Sequence, residues 1–372
     1  PIAEARGGAE RLLLHLLSAS PQAGLNVSVA FLEDGPMVAR TRALGMDAVV
    51  VEAGRLRDVH RFPGVVRTLA AHARRHDADA IVSWMTKAHL YASFAAAWVR
   101  RPALWYQHGV PDSFDVVTRL ATVLPADSVL ACSSVISNVQ EQLWPRRRTV
   151  SVPPCVDLAC FDPRSLPSPR EARHRLGLPK DVPLVGMVAR MQRWKGVHVF
   201  VQAMAAVLER HPDAHGVIVG GRHDLEPDYP DVVQKQIDDF GLTDRVTWVG
   251  FQSNVPLWMQ AMDIVVHASD QEPFGMVVIE AMALGKPVVA GAEGGPREIV
   301  SDGIDGLLAS YGDTEALAQS IQQYLDDPDF AAQIGAAAWE RAADYSSENY
   351  AVRFAKAVAS SLPEHTSSVT SL

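Results

Sequence analysis

Short apolar runs of strand length alternate with stretches of helical period almost from end to end of the chain. In the first half, the runs at 27–31, 48–51, 80–84, 103–106, 128–131 and 149–152 predict strands. Between them lie helical patterns, among them 62–76 and the Ser-led run 134–144. The second half repeats the scheme, with strands predicted at 184–188, 216–219, 246–249, 264–267 and 287–290. Between the first two of these, Val197, Phe200, Val201, Met204, Val207 and Leu208 mark one apolar helix face. Short apolar strands alternating with helices imply parallel sheets covered by helices on both faces. The expected class is therefore α/β, with two Rossmann-like, doubly wound parallel-sheet domains.

A Pro-rich segment, FDPRSLPSP at 161–169, interrupts the alternation midway and reads as the interdomain linker. This divides the chain into a first domain at 1–165, a second at 166–345, a final helix within 346–362 and a polar, disordered tail at 363–372. Ligands of such folds bind outside the carboxyl ends of the strands. Only six residues precede Gly7, too few for the strand that should feed the turn there. A first strand is thus expected and has no room.

Length and composition narrow the function classes. The 372 residues suit two domains. A formal net charge of −9 argues against a general nucleic-acid binder, which gains affinity by neutralising phosphates. Three cysteines (Cys132, Cys155 and Cys160) do not make a disulfide framework, and no metal-like Cys/His spacing stands out. Reduced thiols and a cytoplasmic location follow. No stretch reaches the roughly 20 apolar residues that cross a bilayer. Peripheral contact with the inner membrane face stays open, through Arg100-Arg101 and Arg146-Arg147-Arg148, although solvated loop arginines are the commoner case.

The chemistry concentrates at strand ends. Residues 272–280 read EPFGMVVIE and continue as AMALGKP to Pro287. A helix from about Gly275 to Leu284 fits, with Gly285 ending it. Glu272 then stands in the preceding loop and Glu280 about two turns into the helix. Backbone N–H groups around Phe274, Gly275, Met276 and Val277 would face an anion at the helix start. Residues 188–196 read VARMQRWKG, so Arg190 and Lys195 sit in a loop between a strand and a helix, with Arg193 a weaker candidate between them. Gly7 and Gly8 open a further helix, within GGAER, but do not form the glycine fingerprint of a nicotinamide enzyme. His108 follows the 103–106 strand, Gly250-Phe251 follows 246–249, and Gly294-Gly295-Pro296 with Glu298 follows 287–290. Asp77-Ala78-Asp79 spells an acidic metal-binding spacing but lies at a charged helix end and reads as a solvated turn. Trp84, Trp98 and Trp105 read as core before they read as an acceptor groove.

The two glutamates in their EPFG…EAMA.GKPVV context, with the Arg190–Lys195 loop one βα unit into the second domain, resemble the retaining, nucleotide-sugar-dependent glycosyltransferases of family 4 (group 1 type). The likeness is dense from Leu184 to Gly312 and thin before it. The resemblance implies the GT-B fold, with two Rossmann-like domains facing across a cleft and the last helix returning to the first domain. It implies transfer of a sugar from a nucleoside diphosphate, UDP before GDP, to a glycan, lipid-linked or small-molecule acceptor. No cofactor and no metal would be needed. Arg190 and Lys195 would hold the diphosphate, Glu272 the donor sugar and Glu280 the ribose. Gly250 and Phe251 would meet the base, Gly7 and Gly8 would approach the diphosphate, and His108 would contact the sugar. Two other readings share the architecture: a nucleotide-sugar epimerase, and a non-catalytic nucleotide-sugar-binding protein.

Overall fold

The computed structural model describes residues 8–111 and 115–362. The expected strand before Gly7, Gly7 itself and the 363–372 tail lie outside the described residues. The chain divides into two compact units, Pro1–Cys155 with Ser347–Leu372, and Val156–Ser346.

In the first unit, α1 (Gly8–Ala19) turns Leu12, Leu13, Leu16 and Leu17 inward at helical spacing. It is followed by β1 (Val29–Phe31), α2 (Pro36–Ala43), β2 (Ala48–Val50), α3 (Phe62–Arg75), β3 (Ile81–Trp84), α4 (Thr86–Val99), β4 (Ala103–Gln107), α5 (Val116–Val123), β5 (Ser128–Ala131), α6 (Ser134–Gln142) and β6 (Thr149–Ser151). Every strand pairing is parallel. The described strands form two sheets, β1-β2 and β3-β4-β5-β6. β4 and β5 are buried along their whole length, which explains their largely apolar sequence. Two helix starts are fixed by side chains: Asp115 accepts from Thr118 N at 2.7 Å, and Ser133 from Ile136 N at 3.2 Å.

The second unit runs α7 (Pro169–Leu176), β7 (Leu184–Val188), α8 (Val197–Arg210), β8 (His215–Val219), α9 (Tyr229–Asp239), β9 (Val246–Trp248), α10 (Val255–Ala261), β10 (Ile264–His267), α11 (Met276–Ala283), β11 (Val288–Gly291), α12 (Pro296–Ile299), β12 (Leu307–Ala309), α13 (Thr314–Asp326) and α14 (Pro328–Ala342). One six-stranded parallel sheet has the order β12-β11-β10-β7-β8-β9. β12 has no counterpart among the predicted strands; at three residues it is too short to show a period. The order reverses between β7 and β10, where one strand continues toward β8 and the other toward β11. That divergence is the topological switch point at which ligands of open α/β sheets bind.

The last helix, α15 (Ser347–Ala359), belongs to the first unit and packs on α1. Arg148 Nη1 there donates to Ser360 O at 2.8 Å.

The division between the units falls at Cys155/Val156 rather than at 165/166. Backbone contacts decide this, since Val156 N donates to Tyr345 O at 2.9 Å within the second unit. The Pro-rich segment is not a free linker. Phe161 is buried, Gln260 Nε2 donates to Pro167 O at 3.1 Å, and Arg164 lies over the Trp339 ring at 5.8 Å. Its prolines cannot donate hydrogen bonds, yet the Pro167 carbonyl accepts one within the second unit.

Candidate functional site

The loops after β7 and β10 meet at the switch point of the second unit. Lys195 Nζ lies 2.5 Å from Glu272 Oε2, and His267 Nε2 lies 3.2 Å from the same oxygen. The Lys195 and Glu272 side chains are only 15% and 12% exposed, so this is a pair largely removed from water. Burial raises the Glu272 carboxyl, but Lys195 and His267 outweigh it and hold the pKa at about 2. Glu272 is therefore ionised at neutral pH. Burial and the nearby Arg190 pull Lys195 down, and Glu272 opposes them. The ammonium of Lys195 also sits over the Trp194 ring at 3.9 Å from its centroid.

Glycines let the loops close this tightly. A Cβ on Gly196 would meet Ala268 O at 1.9 Å, and its φ is +71°. The Lys195 turn thus rests directly on the end of β10, where Asp270 N also donates to Trp194 O at 2.8 Å. A Cβ on Gly294 would meet Glu272 O at 2.3 Å, and Gly295 N donates to that same oxygen at 2.8 Å. Gly294 and Gly295 consequently shape the Glu272 loop.

Gly275, at φ 109°, is the N-cap of α11. Met276, Val277 and Glu280 are the partly exposed positions of the helix, whereas Val278, Ile279, Ala281 and Met282 are buried. The first N–H groups of α11 have no partner four residues back, so backbone dipole and open side chains share one end of the helix. The Phe274 side chain is buried, edge-on to Tyr345 at 5.9 Å. Only its backbone can serve a ligand.

Arg190 is exposed, with Nη1 at 3.4 Å from His223 Nε2. Arg193 is otherwise engaged: it pairs with Asp228, its backbone N–H donates to Glu226 Oε2 at 2.8 Å, and its guanidinium lies over Tyr229 at 5.1 Å. Phe251, just past β9, is 79% exposed, a large apolar ring left in water beside Gly250 at φ +70°. Gly220 N donates to Gly250 O at 2.9 Å, and Met191 N to Gly221 O at 3.0 Å. The ends of β7, β8 and β9 are thereby tied together, with Arg190 and Phe251 at their tips.

In the first unit, Gly8 begins α1 and is exposed. His108 lines a cavity of about 290 Å³ with Glu33, Trp84, Thr86, Lys87 and Thr118 among others. Its Nε2 is buried and has no hydrogen-bond partner among the described residues. Desolvation alone pushes its pKa down to about 3, so the ring is neutral at physiological pH. Trp84 and Trp105 are core residues, but Trp98 is exposed. Asp77 pairs with Arg101, and Arg147 donates to Val123 O and Leu124 O. These arginines are held by protein partners.

His267 is a site residue that sequence reasoning passed over. It ends a strand five residues before Glu272, and its position there was the available signal. Its Nδ1 is buried and unpartnered among the described residues. Among those residues, no helix is long and apolar enough to cross a membrane.

Residues 169–341 match the family model described as glycosyl transferases group 1, and residues 6–159 match that of glycosyltransferase family 4. A D-inositol 3-phosphate glycosyltransferase of Corynebacterium urealyticum is 35% identical over 210 residues, covering 55% of this chain and 50% of that protein. The lipopolysaccharide core biosynthesis mannosyltransferase LpsB of Rhizobium meliloti is 32% identical over 183 residues, 48% of this chain and 52% of LpsB. The chain thus spans about half the length of the curated relatives it matches. Among solved structures, Anabaena HepE in complex with UDP has a TM-score of 0.82 at 27% identity, covering 96% of this chain and 98% of its own. With both halves matched by their family models and the fold shared along nearly the whole chain, this protein belongs to the group 1 glycosyltransferases of family 4 and has the GT-B fold.

Proposed function

We propose that the chain catalyses transfer of a sugar from a nucleoside diphosphate, preferentially UDP, to an acceptor hydroxyl with retention of anomeric configuration. The observation that carries this reading is the Lys195–Glu272 pair at the switch point, beside the start of α11 and the exposed Arg190. Breaking the bond between sugar and diphosphate places negative charge on the leaving phosphate. Arg190 and Lys195 supply positive charge there, a task that a divalent cation performs in metal-dependent transferases. The α11 N-terminus adds its dipole. Glu272, kept ionised, accepts hydrogen bonds from donor-sugar hydroxyls, and Glu280 reaches the ribose. Phe251 offers an exposed ring against which the base stacks. His108, a neutral imidazole with a buried open nitrogen, serves as a sugar contact.

The relatives support the donor class. HepE was crystallised with UDP and with UDP-glucose, and LpsB is named a mannosyltransferase. A glycan, lipid-linked or small hydroxylated acceptor fits the same chemistry, and a cytoplasmic site with peripheral membrane contact would suit a lipid-linked one.

The test is thermal unfolding with UDP, GDP and their sugars, beside a Lys195→Ala variant. A ligand bound only by the native state must raise the melting temperature. UDP-type ligands should do so in the wild type and lose the effect in the variant. Equal stabilisation of both proteins would overturn the assignment of Lys195. Product anomeric configuration by NMR decides retention, and an inverted product would refute it.

A further inference from the structure

A second cluster lies in the first unit, where the chain leaving α3 meets the entry to β2. His72 lies in the last turn of α3 and His76 caps its C-terminus four residues on, which brings their ring centroids to 4.5 Å. Asp47, the residue before β2, brings Oδ2 to 2.7 Å from His76 Nε2. One donor atom from each of the three lies within 4.8 Å of the other two. His72 Nε2 is buried and makes no hydrogen bond among the described residues, an arrangement that costs free energy unless something occupies it. A cationic group already sits at the cluster: Arg75 Nη2 lies 2.5 Å from Asp47 Oδ2 and 3.5 Å from His76 Nε2. Its side chain is 66% exposed and free to swing outward.

We propose that Asp47, His72 and His76 bind a divalent transition metal of the Zn²⁺ type, with water in the fourth position. Two imidazoles and one carboxylate suit Zn²⁺, Ni²⁺ or Co²⁺ and not Mg²⁺ or Ca²⁺, which take oxygen ligands. Bonds of about 2 Å at tetrahedral angles place donor atoms roughly 3.3 Å apart. The observed separations bracket that spacing, so the site forms by side-chain adjustment and displacement of Arg75. The ion would clip the end of α3 to the start of β2. Its role is to stabilise the first unit, since all three ligands lie outside the loops assigned to the donor.

Titration calorimetry of the metal-stripped full chain with ZnCl₂, paired with thermal unfolding, tests this. One equivalent should bind and raise the melting temperature, while MgCl₂ should do neither. His72→Gln should weaken Zn²⁺ binding at least roughly tenfold. Arg75→Gln removes the competing cation and should tighten it. Absence of stoichiometric binding in the wild type overturns the proposal. Unchanged binding in a His72→Gln/His76→Gln double variant does so too, by placing the metal on other histidines.

Discussion

Lys195 Nζ and Glu272 Oε2 are 2.5 Å apart although 77 residues separate them in sequence. The contact exists because β7 and β10 are parallel neighbours whose following strands, β8 and β11, lie on opposite sides of the pair. Each contributes its carboxyl-end loop to one spot.

Removing one partner of this pair strands the other. Lys195→Ala leaves an ionised carboxylate with 12% exposure facing only His267. Such a loss costs roughly 3 kcal/mol when the pair is buried. Urea unfolding at pH 7 should show a clear drop in midpoint with an unchanged slope, alongside the loss of nucleotide-induced stabilisation. A variant as stable as the wild type would mean that water reaches Glu272 freely.

The pH dependence has a defined sign. Glu272 carries a folded-state pKa of about 2 against an ordinary 4.5. Its depressed value means that its contribution is complete above pH 4.5 and fades as pH falls toward 2. The stability gap between wild type and Glu272→Gln should therefore narrow across that interval. A gap constant from pH 6 to pH 3 would contradict it.

His108 is the opposite type of group, an imidazole pushed down to about 3 by burial. Its native-state contribution is present above pH 6.5 and is lost as pH falls toward 3. Its ring resonances in NMR should consequently hold constant from pH 8 to pH 5, while exposed histidines titrate. A midpoint near 6.5 would show that the ring is solvated.

Two glycines of similar backbone angle should behave differently. Gly250→Ala meets nothing within 4 Å, so it carries only the left-handed penalty of about 1 kcal/mol. Gly196→Ala adds a contact at 1.9 Å to Ala268 O and must displace the Lys195 turn. Chemical unfolding should rank Gly196→Ala well below Gly250→Ala, and UDP binding should suffer far more in the former.

Phe251 makes little contact for its size, being 79% exposed. Phe251→Ala should change stability by under about 0.5 kcal/mol. If the ring stacks on the base, nucleotide affinity should fall by roughly 1–3 kcal/mol, read by calorimetry. Unaltered affinity would remove Phe251 from the site.

The sequence by itself determined the elements and the class. Short, largely apolar runs such as 128–131 and 264–267 suit strands buried on both sides, and their alternation with amphipathic helices points to parallel sheets. The EPFG and RWKG segments were legible because glycines at required positive φ and charges at strand ends leave a local mark. Tertiary structure decided the rest. Whether Lys195 points at Glu272, whether Phe274 faces ligand or core, and that His267 joins the pair depend on strand order, which no local pattern encodes. The same holds for Asp47, whose meeting with His72 and His76 spans a β-strand and a helix. The units divide before the Pro-rich segment for a similar reason, since proline reports a backbone that donates no hydrogen bond and not where the contacts of a domain end. Local chemistry is written along the chain, and the pairing of distant side chains is set by packing.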